Sequence, residues 1–408
     1  MAGVVETVSM ADVDAARELL RDVVRPTPLE DSRWLAHRVG GPVHLKCENL
    51  QRAGSFKIRG AYVRIAGLSA AERANGVVAA SAGNHAQGVA LAASMLDTQA
   101  TVFMPEGAAI VKERATRAYG ADVRFVGSSL DEALLAARAF AAETGAVLIH
   151  PFDHPDVVAG QATVGTEILE QCPDVRTIVV GTGGGGLTAG IALAVHHNRP
   201  DVRVVGVQAE RAAAFPGSLE AGRPVPLEQM ATMADGIAVG CPGELPFDMI
   251  RKYVDSVTTV SEEALSRALV LLLERAKLVV EPAGAAAVAA VLEDPGAFEP
   301  PVVAVLSGGN IDPLLLLRVI RHGMAAAGRY LSLRVRVPDA PGGLAGLLSV
   351  LASVDANVLD VVHERTGASL SIDEVEIALQ VETRGPEHCD RVLGTLGESG
   401  YAVTIMEN

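Results

Sequence analysis

The sequence is poor in aromatic residues, with one Trp, five Tyr and eight Phe, and it has only four cysteines. Cys47, Cys172, Cys241 and Cys389 are scattered, with no Cys-x-x-Cys pair and no neighbouring His pattern. That spacing argues against a disulfide framework or a structural zinc site and suits a reducing compartment, so a cytoplasmic location is expected. Long apolar runs are missing too. The run around Ala264–Leu273 is interrupted by Arg267 and stops at Glu274, which suits a water-facing helix rather than a membrane span. Glu6, Asp12 and Asp14 stand where a signal peptide needs a basic start and an apolar core. Positive charge is in short supply: 34 Lys and Arg against 49 Asp and Glu leave a net charge of -15. A chain this acidic, without a basic block, repels phosphate backbones and anionic lipid, so neither nucleic acid nor a membrane is an expected partner. The bland meaning of that charge is solubility.

What is present is core material. A chain of 408 residues with 49% hydrophobic and 20% charged residues is long enough for two or three domains and too apolar for disorder. Short apolar segments alternate with amphipathic ones as far as Arg321. Ser9-Met-Ala-Asp12 reads as a capping box opening a helix through Val23, and Ser69 to Glu72 and Ser128 to Asp131 open two more. Strands are expected at Val77, Ala100, Thr177, Val202 and Pro301. Strand and helix taking turns over this length predict parallel sheets covered by helices, an α/β architecture of two lobes with a cleft between them.

The pattern changes after residues 323–329, a small-residue stretch expected as a linker. From Tyr330 the order becomes strand, helix, strand, strand, helix, strand. That β-α-β-β-α-β order predicts a ferredoxin-like sandwich over residues 330–408.

Four segments carry chemistry. In Glu48-Asn-Leu-Gln-Arg-Ala-Gly-Ser-Phe-Lys57-Ile-Arg-Gly-Ala61, Phe56 and Ile58 flank a lysine. Partial burial would disfavour its charged form and make the amine a nucleophile, although a lone lysine is most often a solvated surface residue. Ser81-Ala-Gly-Asn-His-Ala-Gln-Gly88 follows a strand and opens a helix. Its free N–H groups, with Ser81, Asn84 and His85, can grip a carboxylate; a plain polar cap explains the same residues. Val180-Gly-Thr-Gly183-Gly-Gly-Gly186-Leu187 also joins strand to helix and can wrap a phosphate. It has neither the ribose-binding acid of a dinucleotide fold nor the Gly-Lys-Ser of a nucleotide loop. Ser307 in Leu306-Ser-Gly-Gly-Asn310 ends a strand, where ligands of parallel sheets sit.

Pro26-Thr-Pro-Leu29, Gly-Ser-Phe-Lys57, Ser-Ala-Gly-Asn-His85, the tetraglycine loop, Val279-Val-Glu-Pro-Ala-Gly284 and Ser-Gly-Gly-Asn310 occur in an order that resembles one family. It is the threonine dehydratase (threonine ammonia-lyase) branch of the tryptophan synthase β-type, fold type II, pyridoxal phosphate enzymes. The resemblance implies a catalytic region over 1–322 whose smaller lobe spans about 50–152. It implies a Schiff base between the cofactor and Lys57, with Phe56 packed on the cofactor ring. Asn84 would meet the 3-hydroxyl, Gly183, Gly184, Gly185, Gly186 and Leu187 the phosphate, and Ser307 the pyridine nitrogen. Ser81, Gly83, Asn84 and His85 would hold the substrate carboxylate, with Glu281 and Asp235–Val239 behind them. The implied reaction turns L-threonine into 2-oxobutanoate and ammonia, with L-serine also accepted. No motif supplies a carboxylic acid for the departing hydroxide, and the resemblance leaves the cofactor phosphate as its candidate acid.

Serine racemases of this fold carry a serine where Ala82 stands, so dehydration with little racemisation is expected. Glu210 and Ala214 match two positions of a racemase metal site, but Pro216 takes the third, and no metal is assigned. A cysteine synthase would need a threonine-rich asparagine loop that Ser81–His85 does not resemble. A non-catalytic amino-acid sensor of the same fold would have no use for Lys57. The tail resembles an ACT domain, which implies an amino-acid effector, isoleucine or valine, held by Asp339, Gly342, Gly343 and Asn357. Its alternative is a purely structural pairing module, and a homodimer or homotetramer is expected.

Overall fold

A computed structural model describes residues 8–326, 328–365 and 373–406, and the chain divides into two compact units, 1–312 and 313–408. The first unit holds ten strands: β1 (Leu29–Asp31), β2 (Val43–Lys46), β3 (Val77–Ala80), β4 (Ala100–Met104) and β5 (Asp122–Phe125), then β6 (Val147–Leu148), β7 (Thr177–Gly181), β8 (Arg203–Ala209), β9 (Ser256–Val260) and β10 (Val302–Val305). Six of them form one sheet in the order β1-β2-β10-β7-β8-β9, parallel throughout except for β1. The other four form a parallel sheet in the order β5-β4-β3-β6. The alternation of strand and helix thus builds two separate sheets within this unit.

The inner strands β3, β4, β7 and β10 are covered on both faces, which is why they are continuous apolar runs, whereas the edge strands β5 and β9 are largely exposed. In β7, Ile178 and Val180 pack with Val164, Ile168, Ile191 and Val195 of the helices Pro155–Gln171 and Gly186–Asn198. Gly181 faces the opposite helix, Pro282–Glu293. In the smaller sheet, Val77 and Ala79 pack with the helices Lys57–Ala66 and Asn84–Met95, whereas Val78 and Ala80 meet Ala133 and Ala137 of the helix Leu130–Thr144.

The helix that begins at Lys57 is seated by small residues. A Cβ on Gly160 would lie 2.7 Å from the Arg59 carbonyl oxygen and the Gly60 Cα, so two helices meet backbone to backbone. Its first turn carries Arg59, fully buried between Glu48 (Nε to Oε2 2.8 Å) and Glu167 (Nη1 to Oε1 2.6 Å). Glu167 also accepts from the fully buried Lys46 at 2.7 Å. Burial pushes the Glu167 carboxyl up, but the two cations outweigh it and hold the group below its ordinary value.

Some boundaries differ from expectation. The first helix is Met10–Leu20, ending before Val23, and the chain goes on as a turn in which the Val23 and Val24 N–H groups both donate to the Leu20 carbonyl. The box expected at Ser128 is built on Ser129, whose hydroxyl accepts from the Glu132 N–H while the Glu132 carboxylate takes the N–H groups of both Ser128 and Ser129. Residues 323–326, expected as linker, finish the helix Pro313–Ala326, as the helix propensity of Met and Ala favours. Ala327 lies outside the described residues.

In the second unit the helix Pro313–Ala326 precedes β11 (Tyr330–Pro338), the helix Gly343–Ser353, β12 (Asn357–Glu364), β13 (Glu374–Glu382), the helix Pro386–Glu398 and β14 (Ala402–Ile405). The sheet is antiparallel in the order β12-β13-β11-β14, over a core of Leu333, Val335, Leu347, Leu351, Ile377, Leu379 and Leu396.

Candidate active site

Two segments far apart in sequence are stitched together at Lys57. Ser55 bridges Gly308, the Phe56 N–H donates to the Ser307 carbonyl at 3.2 Å, and the Gly309 N–H donates to the Gly54 carbonyl at 2.9 Å. The end of β10 therefore runs beside the entry to the Lys57 helix and puts Ser307, itself buried, next to Phe56. Lys57 Nζ donates to the Pro151 carbonyl at 2.9 Å and sits 5.1 Å from the centre of the Phe56 ring. Loss of water around the amine lowers its pKa to about 8, against the pull of the Glu281 carboxylate.

Glu281 stands just before the helix Pro282–Glu293 and is buried. Burial first, and then Asp235, raise its pKa to about 7, while Lys112, Asn84 and Lys57 oppose the rise. Asn84 Nδ2 donates to its Oε1. Asp235, the second carboxylate beside Glu281, is in turn ion-paired with Lys112.

The Ser81–His85 turn opens the helix Asn84–Met95, and Gly83 N–H donates to Ser81 Oγ at 3.1 Å. The N–H groups of the first helical turn have no intrahelical acceptor and can receive a carboxylate. His85 departs from the expected picture. Its ring is buried and its Nε2 bonds the Ile149 carbonyl at 2.8 Å, which requires a proton there. Burial and then Lys57 push its pKa to about 3, so the ring is neutral and Nδ1 can only accept. What His85 offers a carboxylate is its backbone N–H.

The tetraglycine loop joins β7 to the helix Gly186–Asn198, capped by Gly185 in left-handed backbone at φ 100°. A Cβ on Gly184 would lie 2.4 Å from the Phe152 ring, and one on Gly186 2.9 Å from Phe152 Cβ. Side chains are thus barred, and the backbone N–H groups at the helix start remain the surface offered to a ligand. Leu187 points its side chain into the apolar core, so only its main chain can take part. Gly183 lies against Ile237 and Val239, placing the expected Asp235–Val239 wall beside the loop.

One segment was missed from sequence. His150-Pro-Phe-Asp153 joins lysine to loop: Pro151 accepts from Lys57, and Phe152 packs on Gly184 and Gly186. Asp153 accepts the N–H groups of Glu244 and Leu245. His150 Nδ1 accepts from the Asp153 N–H at 2.8 Å, and burial brings its pKa to about 4, with Lys57 adding to the fall and Asp153 resisting it. Its signal was a His-Pro pair directly after a strand.

In the second unit the structure does not gather the four expected effector residues. Asp339, Gly342 and Gly343 lie beyond Pro338, which pairs with Glu374, whereas Asn357 pairs with Glu382 at the other end of β13. Eight residue steps, from Glu374 to Glu382, separate those ends, about 26 Å at ~3.3 Å per residue. The helix Gly343–Ser353 carries the chain from one end to the other, so Asn357 is remote from Asp339 within one copy. Asp339 Oδ1 accepts from Arg365, and Asn357 Nδ2 donates to Glu382.

Among the described residues no group of three or more His, Cys, Asp or Glu is arranged to hold a metal, and no helix is long and apolar enough to cross a membrane. The residues do fit pyridoxal phosphate: a desolvated lysine amine, an aromatic ring beside it, a buried hydroxyl at a strand end and a side-chain-free cradle at a helix N-terminus. Comparison with known proteins agrees. The chain is 45% identical over 399 residues to the L-threonine ammonia-lyase of Thermotoga maritima, covering 98% of this chain and 100% of the relative. It superposes on a T.th. threonine deaminase with a TM-score of 0.71 at 44% identity, over 74% of this chain and 99% of that one. A maize serine racemase gives a TM-score of 0.74 at 33% identity, over 79% and 99%. Residues 20–308 match the family described as pyridoxal-phosphate dependent enzymes, and the chain belongs to that family.

Proposed function

We propose that this chain is an L-threonine ammonia-lyase, releasing 2-oxobutanoate and ammonia, that also accepts L-serine. The observation that carries the reading is the convergence of Lys57, the Ser81–His85 turn, the tetraglycine loop and Ser307 on one site, in a chain similar over its full length to a threonine ammonia-lyase.

Pyridoxal phosphate, when bound, supplies the electron sink that makes loss of the α-proton feasible. Lys57, whose amine is desolvated and held by the Pro151 carbonyl, would be the residue that anchors the cofactor, and its free amine would be the base for the α-proton. The N–H groups of Gly183 to Leu187 would hold the phosphate, Phe56 would pack on the cofactor ring and Asn84 would meet its 3-oxygen. Ser307, an uncharged hydroxyl, would meet the pyridine nitrogen without holding it protonated, which would favour prompt loss of a β-substituent. Ser81, Gly83, Asn84 and the His85 N–H orient the substrate carboxylate.

Threonine and serine differ by one methyl group, worth only about 1–3 kcal/mol in an apolar pocket, so both are substrates; the likeness to threonine ammonia-lyases favours threonine. Ala82 carries no proton, so the face opposite Lys57 has no acid at the position that resembles the racemases' serine. The test is ammonia and 2-oxo acid release across a panel of amino acids. Failure to release 2-oxobutanoate from threonine, in protein that binds the cofactor, refutes the assignment.

The reading extends to organisation. The first compact unit, which ends at Asp312 rather than at the expected 322, is the catalytic region with a smaller lobe near 50–152, and 330–408 is an ACT-type regulatory domain in a cytoplasmic homo-oligomer. Its β-α-β-β-α-β order supports this. The effector is isoleucine or valine, held through the helix start at Gly342 and Gly343 with Asp339. Titrating the full chain with either amino acid and with Asp339→Ala tests it. Equal response in both proteins removes Asp339 from the effector site.

A further inference from the structure

We propose that Glu281 and Asn310 are positioning residues that fix which end of the Asn84 amide is presented to the cofactor; this rests on the reading that Asn84 faces the 3-oxygen. The polarity is set from outside the amide. The Ala53 carbonyl can only accept, so the end of Asn310 that meets it at 2.7 Å must be Nδ2. The same Nδ2 lies 2.9 Å from Asn84, which therefore shows it Oδ1, with Gln87 Oε1 a longer third partner at 3.4 Å. With its oxygen turned to Asn310, Asn84 must turn Nδ2 the other way, where Glu281 Oε1 accepts from it.

Two backbone features serve this arrangement. Ala53 adopts left-handed backbone at φ 58°, a conformation unfavourable for a non-glycine residue, and its carbonyl meets Asn310. Gly308 passes directly over the amide–carboxylate pair. A Cβ there would lie 2.2 Å from Glu281 Oε1 and 2.9 Å from Asn84 Nδ2. The Glu281 N–H is tied to the Gly308 carbonyl at 3.1 Å, holding the carboxylate in place. Asn84 then keeps one polar hydrogen, the second on Nδ2, for the cofactor. It can donate to the 3-oxygen there, which stabilises the ionised form of that oxygen and the visible absorption that accompanies it.

The experiment uses the full holoenzyme, with absorbance at fixed pH and cofactor affinity by titration of the apoenzyme, whose fold is checked by circular dichroism. Glu281→Met removes the acceptor at similar volume. Asn310→Asp repels the Ala53 carbonyl and turns an acceptor on Asn84. Each is expected to move bound cofactor from the visible to the near-ultraviolet form and to weaken its affinity about fivefold to tenfold, the effect of one hydrogen bond. Glu281→Gln, which keeps an acceptor oxygen, is expected to retain both properties. If Asn84→Ala leaves the spectrum unchanged, the reading of Asn84 itself fails, and this inference with it. If Asn84→Ala shifts the spectrum while Glu281→Met and Asn310→Asp match the wild type, the positioning role is refuted and that reading stands. Glu281→Gln behaving like Glu281→Met also overturns the proposal, since charge rather than an acceptor would then matter. If one variant does not fold, the other arm decides, because the two act on opposite ends of the amide.

Discussion

Lys57 Nζ is held 2.9 Å from the Pro151 carbonyl, two residues before the loop's Asp153 reaches across to the N–H groups of Glu244 and Leu245. The amine is thus parked on a neutral acceptor instead of a carboxylate. Its proton is loosely held because burial disfavours the charged amine.

Capture of pyridoxal phosphate by the apoenzyme should follow the neutral fraction of this amine. The expected rate rises with pH through a midpoint near 8, where an exposed lysine would give one near its ordinary value of 10.5. Glu281 favours the charged amine. Glu281→Gln should therefore move the midpoint to lower pH, and stopped-flow absorbance reads both. A midpoint that rises in the variant contradicts the sign of the coupling.

Gly184→Ala tests the cradle. The added methyl would fall 2.4 Å from the Phe152 ring, and overpacking of this kind costs about 1–3 kcal/mol. Cofactor affinity should drop about fivefold to a hundredfold, and Phe152→Ala in the same chain should restore part of it. Unchanged affinity in Gly184→Ala would show that the loop yields freely.

Arg59→Met leaves Glu48 and Glu167 buried without their shared cation. Removing one partner of a buried pair costs about 3–5 kcal/mol. Urea unfolding of the apoenzyme should show that loss, and adding Glu48→Gln should recover part of it, since the stranded charge is the source of the cost. A loss under about 1 kcal/mol sinks the idea that this network holds the Lys57 helix.

Ala82→Ser is expected to add D-serine formation to a protein that makes almost none from L-serine. Chiral chromatography of the residual substrate measures it. Wild-type D-serine output comparable to 2-oxo acid output would falsify the one-sided role given to Lys57.

Much of the molecule was legible in the residue order alone. Two periods, alternating strands and helices and then β-α-β-β-α-β, specify the layers, because burial on both sheet faces demands apolar runs. Lys57, Asn84, the four glycines and Ser307 stood out because their chemistry is local: a turn, a helix start, a strand end. Tertiary structure alone decided what depends on distant chain segments. The desolvation of Lys57, the diversion of the His85 ring to Ile149 and the Pro151 acceptor all arise from contacts across many tens of residues. The same holds for the polarity of Asn84, set by Asn310 and Glu281, which no local pattern announces. Asn357 shows the converse: a motif position that looked close to Asp339 in sequence lies at the far end of its sheet, because strand direction, not sequence spacing, determines which ends meet.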